Sequence, residues 1–319
     1  MALHRRYPVI DGHADSILEV LEGKRTLTQR SELGHLDWPR AQEAGLACTV
    51  QALWCAPQYY PMATVRVGEM LDALLAQIEA GRPGVRLALT AGDIRQAHAA
   101  GQLAVLINIE GAEAIQGSLA MLRNFYRLGV RMMGLVWNHR NQVADGAGEE
   151  GSGGGLTQFG RQVVREMNRL GMVIDLAHIT APGFYQVLEI SEKPVLFTHG
   201  NCRALHDHPR NLTDDQIKAL AQHGGVMGIS FVRGFMNEET ATLTTVADHI
   251  DHVVQLLGSA DHVGYGSDLD GATMPAGLED VTRVPALTAE LLKRGYSEED
   301  VAKILGGNYL RVFSQVLGE

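Results

Sequence analysis

His13 and Asp15 stand two residues apart in Asp11-Gly12-His13-Ala14-Asp15, directly after the short apolar run Val9-Ile10. In an extended segment that spacing turns both side chains the same way, so an imidazole nitrogen and a carboxylate oxygen can share one cation. The pair by itself is weak, because His206-Asp207-His208 contains a similar pattern in what reads as a solvated loop. Its weight comes from Glu110, His178 and His199, each of which also follows an apolar run. Imidazoles and carboxylates together suit zinc or a similar transition metal, with cobalt and manganese tolerated by the same donors. The expected cofactor is therefore two divalent ions, zinc first, and Glu110, with two oxygens, is the natural bridge. Asp11 reads as a strand-end residue supporting the ligands.

Those five residues need a scaffold that delivers side chains from distant segments to one place. Eight apolar runs rich in Val, Ile, Leu and Met recur at 9–10, 47–53, 104–109, 131–137, 172–177, 195–198, 225–230 and 263–267. Each is short and bounded by turn residues, as buried parallel strands are. Amphipathic stretches at 62–80, 157–170, 213–222 and 245–257 lie between them. Thr213 with Asp214-Asp215 resembles a helix start, and Gly171 a helix stop. Eight alternations predict an α/β fold of the (β/α)8 TIM-barrel type over 1–319 as a single domain, although an open doubly wound sheet satisfies the same count.

In such a barrel the active site lies at the carboxyl ends of the strands. Under that rule the fourth run delivers Asn138-His139 and the eighth delivers Asp268 and Asp270 to the rim that carries the five ligands. The segment 146–155 has six glycines and two glutamates. It reads as a mobile loop after the fourth strand, a lid over the substrate being its sharpest possible role.

A formal charge of −10 and the lack of a basic stripe exclude a phosphate-gripping nucleic-acid binder. The composition, 45% hydrophobic and 20% charged, suits a core-rich folded protein. Three cysteines, Cys48, Cys55 and Cys202, have no paired spacing, and no stretch reaches about 18 apolar residues or forms an apolar leader. These features predict a cytoplasmic location with no membrane partner; a homodimer is also expected.

The residues resemble the membrane (renal) dipeptidase family, among the metal-dependent amidohydrolase barrels. The resemblance rests on Ile10-Asp11-Gly12-His13-Ala14-Asp15, Ile109-Glu110-Gly111, Asn138-His139, Ile174-Asp175-Leu176-Ala177-His178, Phe197-Thr198-His199, Pro209-Arg210-Asn211 and Gly266-Ser267-Asp268-Leu269-Asp270-Gly271. It implies one metal on His13, Asp15 and Glu110 and a second on Glu110, His178 and His199. It further implies that Asp268 sits beside the bridging water and His139 beside the scissile carbonyl. Arg210 and Asn211 would then bind the substrate, Arg210 on its terminal carboxylate. The implied reaction is hydrolysis of small dipeptides, L-D pairs among them. Unlike the secreted, lipid-anchored animal enzymes, this chain looks like the bacterial branch. With the same metals, a hydrolase or tautomerase acting on a modified amino acid or small amide is the alternative. A non-catalytic metal-binding scaffold is the rival from another class.

Overall fold

A computed structural model describes residues 2–319. Nine parallel strands form one sheet: β1 (Val9–Ala14), β2 (Leu46–Trp54), β3 (Val85–Leu87), β4 (Leu103–Glu110), β5 (Val130–Gly134), β6 (Val173–Asp175), β7 (Leu196–Gly200), β8 (Val226–Ile229) and β9 (Val263–Tyr265). Eight of them run in the order β1-β2-β4-β5-β6-β7-β8-β9, and β3 pairs with β4 off that path. The eight apolar runs are thus the eight barrel strands, in sequence order. β3 is the strand the sequence conceals, because three residues, Val-Arg-Leu, make no recognisable run.

Both faces of the strands are covered, which is why they read as continuous apolar runs: every residue of β1 and β4 is buried. Helices supply the crossovers that parallel strands require. Gln158–Leu170 begins at Thr157, whose side chain accepts from the Gly160 N–H, and stops at Gly171 with φ 71°. Asp214–Gln222 begins with a reciprocal capping box between Thr213 and Gln216.

The barrel closes between β1 and the chain that follows β9. Asp15 N–H donates to Leu269 O at 2.9 Å, and Asp268 N–H donates to His13 O at 3.0 Å. Below them the Asp11 carboxylate accepts the Ser267 N–H at 2.9 Å and the Ser267 hydroxyl. A side chain here does the work of ladder hydrogen bonds, as expected of Asp11 in its supporting role. Burial lifts the Asp11 pKa to about 6, with the Ser267 donors opposing the rise.

The lower end of the barrel is filled by Tyr309, from the helix Asn308–Leu317. A Cβ at Gly12 or Gly264 would collide with its ring and one at Gly228 with its hydroxyl, so three strands leave room for one side chain. Its hydroxyl is buried with no hydrogen-bond partner. No helix among the described residues is long and apolar enough to cross a bilayer. The three cysteines are free and buried.

Tyr309 is therefore expected to stabilise by its ring rather than its hydroxyl. Urea denaturation should place Tyr309→Phe within about 1 kcal/mol of the parent, since no hydrogen bond is lost. Tyr309→Ala should cost about 3–5 kcal/mol, the range for emptying a buried aromatic site. A large loss in the Phe variant would show that the hydroxyl is structural.

Candidate metal centre and its cavity

Each predicted ligand leaves a strand at the carboxyl end of the barrel, and two irregularities aim them. The β1–β2 register slips between Asp11 and Ala14, and the β7–β8 register slips between Phe197 and Gly200. Bulges of this kind re-aim side chains beside active sites. His13 Nε2 lies 3.4 Å from Asp15 Oδ2 and 3.5 Å from Glu110 Oε2. On the other side Glu110 Oε1 lies 2.8 Å from His178 Nε2 and 3.6 Å from His199 Nε2. Glu110 thus stands between two donor pairs, one oxygen toward each.

The chemistry of these donors fits cations. His178 Nδ1 is 2.8 Å from Asn138 Oδ1, and His199 Nδ1 is 2.9 Å from the Thr198 hydroxyl, which itself donates to Asp175 at 2.7 Å. With the proton on Nδ1, the tautomer that these two acceptors favour, both imidazoles direct an Nε2 lone pair inward, the form that ligates a metal. Those two Nε2 atoms are only 2.9 Å apart. Two lone pairs repel at that distance unless a cation lies between them. His13 Nε2 and Nδ1 and Asp15 Oδ1 are buried without a hydrogen-bond partner. Ligand atoms of Glu110, His178 and His199 fall within 4.8 Å of one another, as do those of His13, Asp15 and Asp268. Asp175 also meets that distance test with His13 and His199. Its oxygens, however, are engaged by Ala177 N–H, Thr198 N–H and the Thr198 hydroxyl.

Electrostatics agree. Burial and the nearby Arg210 hold the His178 pKa down at about 4, and burial with His13 holds His199 lower still than usual, so both are neutral. Burial opposes ionisation of Glu110, but His13 and His178 outweigh it and keep its pKa well below the carboxylate range. His13 is the exception among the imidazoles: burial opposes its proton, yet Glu110 and Asp15 win and raise its pKa. A field that draws a proton onto a buried histidine is one that favours a divalent cation.

Above the ligands lies a cavity of about 410 Å³. Its floor is Asp15, Glu110, His178 and Asp268, and Trp54 and Trp137 form one wall at 5.1 Å between ring centroids. Arg210, Phe235 and Val232 also line it, with the Arg210 guanidinium over the Phe235 ring at 5.2 Å. Asp268 adopts φ 62° and Asp270 φ 70°. Asp270 is held there by Arg25 Nη2 at 2.7 Å, which fixes the loop carrying both residues. The Asp268 carboxyl sits so near Asp15 that a Cβ on Gly271 would strike both. Burial raises its pKa, and the charge of Glu110 adds to the rise.

Arg210 is buried and makes no ion pair among the described residues; Nη2 donates to His199 O at 3.1 Å, while Nε has no partner. Burial lowers its pKa to about 10, which leaves it protonated. An unneutralised guanidinium on a cavity wall is built to receive an anion.

The structure places three of the expected features away from the cavity lining. His139 is exposed, packs edge-on to Trp137 at 5.7 Å between centroids, and does not line the cavity; its neighbour Asn138 does. Asn211 is committed to its own loop, its Nδ2 donating to His206 O at 2.9 Å and Phe235 O at 2.8 Å and its Oδ1 accepting from Asn201 N–H. The loop 146–155 is a pinned segment containing the 3-10 turn Ala147–Ser152, and none of its residues lines the cavity. Ala147 N–H donates to His178 O at 2.7 Å and Gly148 N–H to Asn138 O at 2.9 Å, so this segment supports the ligands from behind. His208, read as part of a solvated loop, lines the cavity and packs on Phe235 at 4.9 Å.

The sequence matches the membrane dipeptidase family, peptidase family M19, over residues 1–317. The chain belongs to the membrane dipeptidase family. Dipeptidase verJ of Clonostachys rogersoniana is 41% identical over 250 residues, 78% of this chain and 64% of that protein. Dipeptidase 3 of Mus musculus is 35% identical over 329 residues, 99% of this chain and 66% of that protein. This chain thus spans just under two thirds of the length of those two relatives. Two solved metallopeptidase structures superpose throughout. Dipeptidase AC of family M19 has a TM-score of 0.92 at 34% identity, covering 98% of this chain and 99% of its own. The Rhodobacter sphaeroides metallopeptidase, liganded with a phosphinate mimic of the dipeptide L-Ala-D-Ala, has 0.90 at 33%, covering 97% and 99%. These membrane dipeptidase relatives share the barrel across the whole chain.

Gly146 packs so closely on the Trp137 carbonyl and the Asn138 backbone that any Cβ would overlap them, whereas Gly151 has open space. Gly146→Ala should displace Asn138 and His178 and lower metal affinity by about 10–100-fold, the usual cost of disturbing ligand support. Gly151→Ala should bind metal as the parent does. Equal metal titrations for all three proteins would refute the supporting role of this loop.

Proposed function

We propose that this chain is a binuclear, zinc-dependent dipeptidase that cleaves small dipeptides, L-D pairs among them. The observation that carries the reading is the pairing of two donor sets through Glu110 with an unneutralised Arg210 on the wall of the same cavity. The family match and the L-Ala-D-Ala mimic bound by the Rhodobacter sphaeroides relative support the substrate class. The cavity volume also falls within the range of small-molecule sites, about 300–1,000 Å³.

His13, Asp15 and Glu110 would hold one cation, and Glu110, His178 and His199 the other. Bound there, two divalent cations supply an acidified water at neutral pH and polarise the substrate carbonyl. The chain's own groups do the rest. Arg210 receives the free carboxylate of the substrate, and its planar fork fixes the orientation and favours a substrate whose chain ends there. Asp268, next to Asp15 on the cavity floor, takes the proton of the attacking water and returns it to the departing amine. Trp54 and Trp137 cover the ligands with apolar surface and limit the access of bulk water.

A panel of L-L and L-D dipeptides, N-acyl amino acids and small amides tests this with zinc-reconstituted protein. Dipeptide cleavage should dominate, Asp268→Asn should lower kcat by roughly 10²–10⁴-fold, and blocking the substrate's C-terminus should raise KM sharply. Cleavage of amides alone, or no loss in Asp268→Asn, would contradict the assignment.

A further inference from the structure

His208 lines the cavity two residues before Arg210, and one contact decides its tautomer. The Arg210 backbone N–H, which can only donate, reaches His208 Nδ1 at 3.1 Å. The proton of the neutral imidazole is therefore on Nε2. Burial, with Arg210 nearby, lowers the pKa of the ring and keeps it neutral at pH 7. We infer that His208 determines substrate specificity: its Nε2–H donates to the side chain of the substrate's C-terminal residue and favours dipeptides that end in a carboxamide or carboxylate residue. The inference rests on the dipeptidase reading, in which Arg210 receives the terminal carboxylate.

Depth separates the tasks of the two residues. Arg210 is buried and His208 half-buried, so the imidazole stands nearer the mouth. A carboxylate held by a planar guanidinium fork has both oxygens engaged there. A second donor beside it therefore meets the next group of the same residue, its side chain. Both protein groups pack on one ring, the Arg210 guanidinium 5.2 Å and the His208 ring 4.9 Å from the centre of Phe235. Other polar residues of the lining are committed elsewhere: Asp15, Glu110 and His178 to the donor cluster, Asn138 to His178 Nδ1 and Asp270 to Arg25. His208 keeps its donor free, since no protein acceptor takes Nε2–H among the described residues.

The donor is held in place before a substrate arrives. His208 O accepts the Asn211 N–H at 2.9 Å, and Asn211 Nδ2 donates to Phe235 O at 2.8 Å. Asn211 thus ties the backbone of His208 to the residue on which the imidazole packs. A donor fixed in this way loses little freedom on binding, and a site built around it discriminates against a substrate that leaves it unpaired. Because the ring is half-buried, an unmatched Nε2–H still reaches water, which limits the discrimination to about 5–20-fold.

Near-isosteric C-terminal residues isolate the contact: Asn against Leu, and Gln against Met, none of them charged. L-Ala-D-Xaa dipeptides ending in these four residues are compared by kcat/KM on zinc-reconstituted protein, and the matching phosphinate analogues by calorimetric affinity. The parent should prefer the carboxamide member of at least one pair in both measurements. His208→Asn keeps an acceptor for the Arg210 N–H, as an Asx turn, but its shorter side chain no longer reaches the substrate. It should lower kcat/KM and affinity about 5–20-fold more for that carboxamide than for its apolar partner. His208→Phe keeps the packing on Phe235 while removing both contacts; it should show the same differential loss and, in addition, raise KM for all four dipeptides through Arg210. A parent that prefers the apolar member of both pairs overturns the inference. Equal losses on all four dipeptides in His208→Asn do so too, because the residue then acts only through Arg210. A parent that cleaves no dipeptide refutes the dipeptidase reading instead, and the phosphinate affinities then judge the His208 contact by themselves.

Discussion

The rest of the structure is arranged around a concentration of like charge that only cations can relieve. Asp15 and Glu110 are buried and the half-buried Asp268 converges on them, and burying ionised carboxylates without compensation costs several kcal/mol each. Part of the relief comes from His13, on which the carboxylates hold a proton. A divalent metal ion, which the family implies, gives more complete relief, and His178 and His199 are neutral and stand ready to receive it. A cluster so poised would not persist in a core selected for stability alone, and it marks the carboxyl end of the barrel as the working end.

Holding that cluster places demands on the backbone that ordinary strands and helices do not meet. His178, Asp268 and Asp270 all adopt left-handed backbone conformations, with φ of 68°, 62° and 70°. Such residues cost of order 1–3 kcal/mol each and survive only where their surroundings over-determine them. The surroundings are visible: Ala147 N–H on the His178 carbonyl, Arg25 on Asp270, and the Asp268 N–H on the His13 carbonyl. The last of these also closes the barrel, so closure of the sheet and placement of the ligands are one set of hydrogen bonds. At the opposite end Tyr309 fills the space that three glycines leave open.

Most of this was legible in the sequence because barrel strands are buried on both faces and their carboxyl ends carry the chemistry. Apolar runs followed by His or Glu therefore located the clustered side chains of His13, Glu110, His178 and His199 directly, with Asp15 following by the period-two rule. The rule failed where the chain leaves the ladder before reaching the site. β5 ends at Gly134, three residues short of Trp137, so strand parity no longer tells which of Asn138 and His139 faces inward. His208 and Asn211 were exchanged for a similar reason: their loop folds back on itself through the Asn211 amide, which no local spacing records. The glycines of 146–155 read as freedom, whereas Gly146 and Gly148 in fact permit close packing against the Asn138 backbone.

The claim on which everything else depends is that Glu110 joins two metal sites. A crystal structure of the zinc-reconstituted protein, with anomalous differences collected at the zinc edge, measures this without reference to any substrate. The account predicts two peaks per chain, both in contact with Glu110, one completed by His13 and Asp15 and the other by His178 and His199. A single peak, or a pair that leaves Glu110 uncoordinated, would contradict it.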